Sequence, residues 1–251
     1  MSSTQDKQHI ATNFSKQAEL YDQFASIQKE VAAELFLQGE KKFTKAKSVL
    51  DIGCGTGYLA KFLKINYPHL AITQIDIADE MVKKCAKIPG TKALLADMEN
   101  LPFKDNEFNM SISSLALQWA DLTKALTEAK RVTSDYLLLN CLTNNSFNEL
   151  KDLNSGIYLK PLPEVAEIKN IADELQINNL IVKTVTLKKE YASFQEFFKI
   201  LKNIGAVATH KKSKYLGKNF FKDLEAKYFA THPHTDKILL SWEVTFIKNF
   251  S

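Results

Sequence analysis

Apolar residues recur at helical spacing in two opening stretches, about 5–20 and 24–40; in the second, Phe24, Ile27, Val31 and Leu35 mark one face that runs on to Gln38. From residue 48 the pattern changes to short apolar runs separated by amphipathic ones. "KSVLDIG" reads as a strand ended by glycines, "TGYLAKFLKIN" as a helix, "LAITQID" as a strand and "ADEMVKKCAKI" as a helix. "KALLAD" and "EFNMSISS" are two further strands. "DLTKALTEAKRV" is a helix with Leu122, Ala125, Leu126 and Ala129 on one face, and "SDYLLLNCL" is a fifth strand.

Strands that are apolar throughout and alternate with helices predict a parallel sheet covered on both faces. Right-handed crossovers make it a doubly wound α/β sheet. Beyond Leu142 the chain becomes lysine-rich and mostly helical to about 230, with "NNLIVKTVTL" and "SWEVTFIKN" as two more strands. The expected organisation is one domain over 1–251: a helical N-terminal segment (1–44), a core (45–142), an inserted region carrying strand six (143–230) and a last strand (238–250). There is no repeat and no Pro/Gly-rich linker.

Composition narrows the setting. The chain has 251 residues, 45% apolar and 25% charged, enough for a full core. No apolar run reaches membrane-spanning length, and "MSSTQDKQHI" lacks a signal peptide's apolar centre. Cys54, Cys85 and Cys141 form no CxxC pair, so neither a disulfide framework nor a thiolate metal site is indicated; a cytoplasmic protein without metal is expected. The net charge of +4 is uneven, with eleven lysines against four acids between Lys183 and Lys227. Such a face is either solvated or meets an anionic partner.

"VLDIGCGTG", Val49 to Gly57, carries the chemistry. Gly53, Gly55 and Gly57 let the backbone turn tightly and approach a ligand at a helix N-terminus. Asp76 ends the next strand about twenty residues on, where a carboxylate can accept ribose hydroxyls. The spacing is GxGxG rather than the dinucleotide GxGxxG. Asp51, Asp76 and Asp97, three strand-end acids around one glycine turn, would repel a pyrophosphate. They suit adenosine carrying a sulfonium and an amino acid.

At these residues the chain resembles the class I S-adenosylmethionine-dependent methyltransferases, over roughly 45–142. The resemblance implies a seven-stranded sheet whose last strand is antiparallel. It places Gly53, Gly55 and Gly57 by the donor's methionine end, Asp76 on the ribose and Asp97 with Met98 at the adenine, with Ile77 also among the donor-binding residues. "NFSKQAELYDQFASIQKEVAAEL", "SSLALQWADL" and "FFKILKNIGAVATH" together resemble a narrower family spanning nearly the whole chain, the malonyl-acyl-carrier-protein O-methyltransferases of biotin synthesis (BioC). That family usually has a Pro-Gly turn before strand five; "RVTSDYLLLN" is shorter.

The implied reaction methylates a carboxylate that is already ionised, with a pKa of roughly 4, so no general base is required. Ser113 and Ser114 are expected to border the donor, with Gln118 and Trp119 walling the acceptor pocket. Tyr21 belongs to a lid segment and either packs or donates a hydrogen bond. Arg131, the chain's only arginine, offers a fork that matches a carboxylate, although periodicity places it opposite the apolar stripe of its helix. The implied partner is an acidic acyl carrier protein bearing a malonyl thioester, met by Lys199, Lys202, Lys211, Lys212 and Lys214. A monomer with no nucleic-acid or membrane partner is expected. A methyltransferase acting on a free small acid or a quinone-like lipid precursor, and a non-catalytic donor-binding module, remain alternatives.

Overall fold

The computed structural model describes residues 4–153, 159–206 and 219–249. Two helices precede the sheet, α1 (Thr4–Phe24) and α2 (Ser26–Phe43), separated only by Ala25. Of the apolar stripe read in the sequence, Ile27, Val31 and Leu35 are on the buried face of α2, joined by Phe36 and Phe43, whereas Phe24 ends α1 and is half-buried, as is Gln38. Burying such side chains contributes on the order of 2 kcal/mol each, which fixes α2 on the sheet.

The alternating core follows: β1 (Ser48–Ile52), α3 (Tyr58–Asn66), β2 (Ala71–Asp76), α4 (Asp79–Cys85), β3 (Thr91–Leu95), β4 (Phe108–Ser113), α5 (Leu122–Val132) and β5 (Thr133–Leu142). The junction before β5 is as tight as its sequence implied, since Val132 ends the helix and Thr133 begins the strand. Asp121 caps α5 by accepting the Lys124 N–H at 3.2 Å. The last part holds α6 (Asn148–Asp152), α7 (Val165–Glu174), β6 (Leu180–Tyr191), α8 (Phe194–Asn203), α9 (Phe220–Thr231) and β7 (Ile238–Asn249).

The seven strands form one sheet in the order β3-β2-β1-β4-β5-β7-β6. β1 to β5 pair in parallel, while β7 runs antiparallel between β5 and β6. β7 is buried over most of its length, as a strand between two others must be. β6 lies at the edge and exposes lysines and threonines, a composition that blunts an open edge. Apolar clusters pack on both sheet faces, one around α2, α3 and α8 and another around α5 and α7. The strand order reverses between β1 and β4, so a crevice opens where these strands end.

Candidate active site

The glycine turn after β1 is held in the left-handed region at three alternate positions, with φ of +69° at Gly53, +54° at Gly55 and +77° at Gly57. The reasons differ. A Cβ on Gly53 would lie 2.4 Å from the Ala116 Cβ, and one on Gly57 would lie 2.3 Å from Ile88 and 2.7 Å from Gln74 Oε1. A Cβ on Gly55 would meet only Tyr21, at 3.9 Å, so this backbone faces open space. Gly57 packs α3 against α4 and lines none of the described cavities, a correction to its place beside the donor.

Two adjoining hollows share Gly53, Gly55, Tyr21 and Ser114. The first, about 70 Å³, is lined by Asp76, Ile77, Asp97 and Met98. Asp76 is oriented by the Gly55 N–H on Oδ2 and the Ala78 N–H on Oδ1, both at 2.9 Å. Burial raises its pKa against these backbone bonds. Asp97 accepts the Glu99 N–H at 2.9 Å and pairs with Lys7 of α1 at 2.6 Å, and Lys7 also reaches Glu99 at 2.7 Å.

The second hollow, about 50 Å³, is lined by Asp51, Thr56 and Tyr58 as well. Here Asp51 Oδ2 and Ser114 Oγ are buried without a hydrogen-bond partner among the described residues. Burial, then the charge of Asp76, pushes Asp51 up to about 7. An ammonium group would satisfy both atoms, which is the amino end of an amino acid. An acid oriented by the glycine turn in one hollow and a buried pair that an ammonium would satisfy in the other fit S-adenosylmethionine. Ser113 departs from expectation: it is fully buried, its hydroxyl donates to the Ile52 carbonyl at 2.8 Å, and only Ser114 reaches the cleft.

A third cavity, about 280 Å³, shares Phe14, Tyr21, Leu115 and Trp119 with the first hollow. Gln118 and Trp119 line it from a 3-10 turn, Leu117–Trp119, at the exit of β4. Trp119 meets Phe14 of α1 edge-on at 5.5 Å. Leu201, Ile204 and Ala206 close the far side, so the "LKNIGA" segment walls this cavity. Gly205 there has φ of +72°, and a Cβ on it would lie 2.9 Å from Phe14. Burial and the Asp76 and Asp22 carboxylates push the Tyr21 phenol upward, keeping it a neutral hydroxyl where all three spaces meet.

Arg131 is placed elsewhere. Its guanidinium donates to Glu128 through Nε and Nη2 at 2.7 Å, to Asp105 at 2.9 Å, and to the Phe103 and Leu101 carbonyls at 2.8 and 3.0 Å. All five N–H groups are engaged in tying the β3–β4 connection to α5, and Arg131 lines none of the described cavities. It is a strut, which corrects its expected place against the acceptor's carboxylate. Lys199 and Lys202 are exposed on α8, facing away from the cavity that Leu201 and Ile204 line. Lys211, Lys212 and Lys214 lie outside the described residues. Sequence reasoning missed Lys160, Lys151 and Trp242 in the large cavity and Lys7 at the nucleoside end. The Pro-flanked apolar run "LKPLP", Leu159 to Pro163, was the one local signal for Lys160.

Comparison with known proteins agrees with this geometry. A family profile described as a methyltransferase domain matches residues 50–135. The malonyl-acyl-carrier-protein O-methyltransferase of Hamiltonella defensa is 31% identical over 218 residues, spanning 83% of this chain and 81% of that protein. The protein of the same name from Legionella pneumophila is 26% identical over 94% of this chain and 88% of its own length. In fold, a S-adenosylmethionine-dependent methyltransferase from Archaeoglobus fulgidus superposes with a TM-score of 0.56 at 15% identity, covering 91% of this chain and 97% of that one. A glycine cleft with an ammonium-seeking floor, opening onto a larger cavity under the same fold and with these relatives, places the chain among the class I S-adenosylmethionine-dependent methyltransferases.

Proposed function

We propose that this enzyme methylates the free carboxylate of a malonyl-acyl-carrier-protein thioester, giving the methyl ester that primes pimeloyl and biotin synthesis. The observation that carries the reading is the charge of the large cavity. Among its described lining residues the only ionisable side chains of either sign, apart from the Tyr21 phenol, are Lys151 and Lys160. The remainder is mostly apolar or aromatic, so an anion entering it loses water and meets fixed positive charge. The names of the relatives at 31% and 26% identity supply the acceptor.

When bound, S-adenosylmethionine supplies a methyl group on a sulfonium. In this reading Asp51 and Ser114 hold its amino end, Gly53 and Gly55 admit its backbone-close portion, Asp76 and Ile77 border the ribose, and Asp97 with Met98 border the base. Tyr21, Leu115 and Trp119, common to both spaces, bring the acceptor to the methyl. A carboxylate oxygen held at the shared wall would take that methyl, with the electron pair of the C–S bond left on sulfur, so no residue of this chain need move a proton. Opposite charges are annihilated, so desolvation and placement within about 3–3.5 Å supply the rate, and no His or Cys base is needed.

The test is transfer of labelled methyl to malonyl-acyl-carrier protein, with Asp76→Ala as the control. Alkali-labile label on the carrier, lost in the variant, supports the reading; label on free malonate with none on the carrier moves the acceptor to a small acid.

A further inference from the structure

We propose that Lys160 holds the acceptor's carboxylate and selects the acid over its ester. The proposal rests on the carboxylate-methylating reading above and names the residue that performs the selection. Lys160 lies in the extended segment that leads into α7, which is tied to the exit of β5 by the Asn144 N–H donating to the Pro163 carbonyl at 3.0 Å. Its Nζ donates to the Gln118 carbonyl at 2.8 Å and stands 5.1 Å from the Trp119 ring centroid. Trp119 borders both the donor cleft and the acceptor cavity, so the ammonium sits by the wall that the two spaces share.

An ammonium group has three N–H donors. Among the described residues Lys160 uses one, on the Gln118 carbonyl, and has no carboxylate within ion-pair distance. Burial lowers its pKa, while Asp6 and Glu99 act on it only through space. Among the described residues this half-buried cation is held by one carbonyl and one ring face beside a cavity, with no anion against it. Lys151, the other cation there, is more exposed and already bonds Asn144 O and Asn148 Oδ1. Arg131 has no free donor.

The chemistry follows from charge. One carboxylate oxygen held by Lys160 leaves the second free to attack. Methylation removes the anion, so the ester loses its hold on Lys160 and leaves. Lys160 thus acts on acceptor binding and product release more than on the bond-making step.

Three variants of the full-length protein test this: Lys160→Met, Lys160→Gln and Lys160→Arg. The glutamine keeps a donor for the Gln118 carbonyl without the charge. Methionine and glutamine variants are expected to raise KM for malonyl-acyl-carrier protein by about tenfold or more, the scale of a charge-assisted hydrogen bond, with a smaller change in kcat. Arginine should retain most of the wild-type KM. In binding competition the wild type should prefer malonyl-carrier to its methyl ester, and both neutral variants should lose that preference while binding S-adenosylmethionine normally. If glutamine restores wild-type KM and acid preference, Lys160 is a strut for the Gln118 turn and the proposal fails alone. If the wild type neither methylates malonyl-carrier nor prefers it to the ester, the functional reading fails and this proposal with it. Should the methionine variant fail to fold, the contrast between glutamine and arginine decides the matter by the same two readouts.

Discussion

Leu115 donates its backbone N–H to Asn140 Oδ1 at 2.8 Å, and this bond holds a leucine in the left-handed region at φ +52°. The conformation costs an L-residue roughly 1–2 kcal/mol. It turns the chain sharply out of β4, so that Ser114 enters the donor cleft while Leu115 and Trp119 border both cavities.

Asn140→Ala leaves that N–H buried without an acceptor. The expected loss of stability is about 1–3 kcal/mol, read as a lower denaturant midpoint. KM should rise for donor and acceptor together, because both spaces lose their common wall. A rise confined to one substrate would contradict this account of the turn.

Asp51 sets a pH dependence. Its folded pKa of about 7 lies above the unfolded value near 4. Between these values the folded state binds more protons than the unfolded one, so Asp51's contribution to stability falls as pH rises through the window. A donor ammonium prefers the ionised form, so donor affinity should rise with pH through about 7. Asp51→Asn should flatten both trends and weaken donor binding by about tenfold. Calorimetry in buffers of different ionisation enthalpy should show proton release near neutrality in the wild type and less in the variant; equal release in both would contradict the assignment.

Arg131→Lys keeps the charge and loses the fork. The expected result is a melting temperature lower by about 2–6 °C, with unchanged KM for the acceptor. A selective loss of acceptor affinity would return Arg131 to the site.

Lys199 and Lys202 offer a charge test of the carrier's approach. Reversing both to Glu should raise KM for a carrier-bound acceptor several-fold at low salt, with the difference fading as ionic strength rises. Donor affinity should not move. The same KM at low salt would make this face merely solvated.

The sheet was legible because its determinants are local. Apolar runs, glycine turns and helical stripes announce β1 to β5 and their helices, whereas Arg131 stayed a candidate for the site although it stands opposite the stripe of α5. The donor cleft was legible for a related reason, since Asp51, Asp76 and Asp97 all sit at strand ends, where parallel topology brings them together. The large cavity was legible only in part, through Gln118 and Trp119, which line it. Lys160 meets Gln118 across 42 positions of chain, and Leu115 depends on Asn140, 25 positions away. Neither pairing has a periodic signature. Ser113 and Ser114 show the limit at its finest, since one residue's step along a strand end separates a buried strut from a cleft-facing hydroxyl.

The central claim is tested most directly by intact-mass measurement of carrier protein after incubation with enzyme and S-adenosylmethionine. Malonyl-carrier and acetyl-carrier offer the same thioester arm, and only the first has a free carboxylate. The expected result is one added methyl on malonyl-carrier, removed by mild alkali, and none on acetyl-carrier. Equal labelling of the two, or no methyl on malonyl-carrier while the enzyme binds its donor, would contradict it.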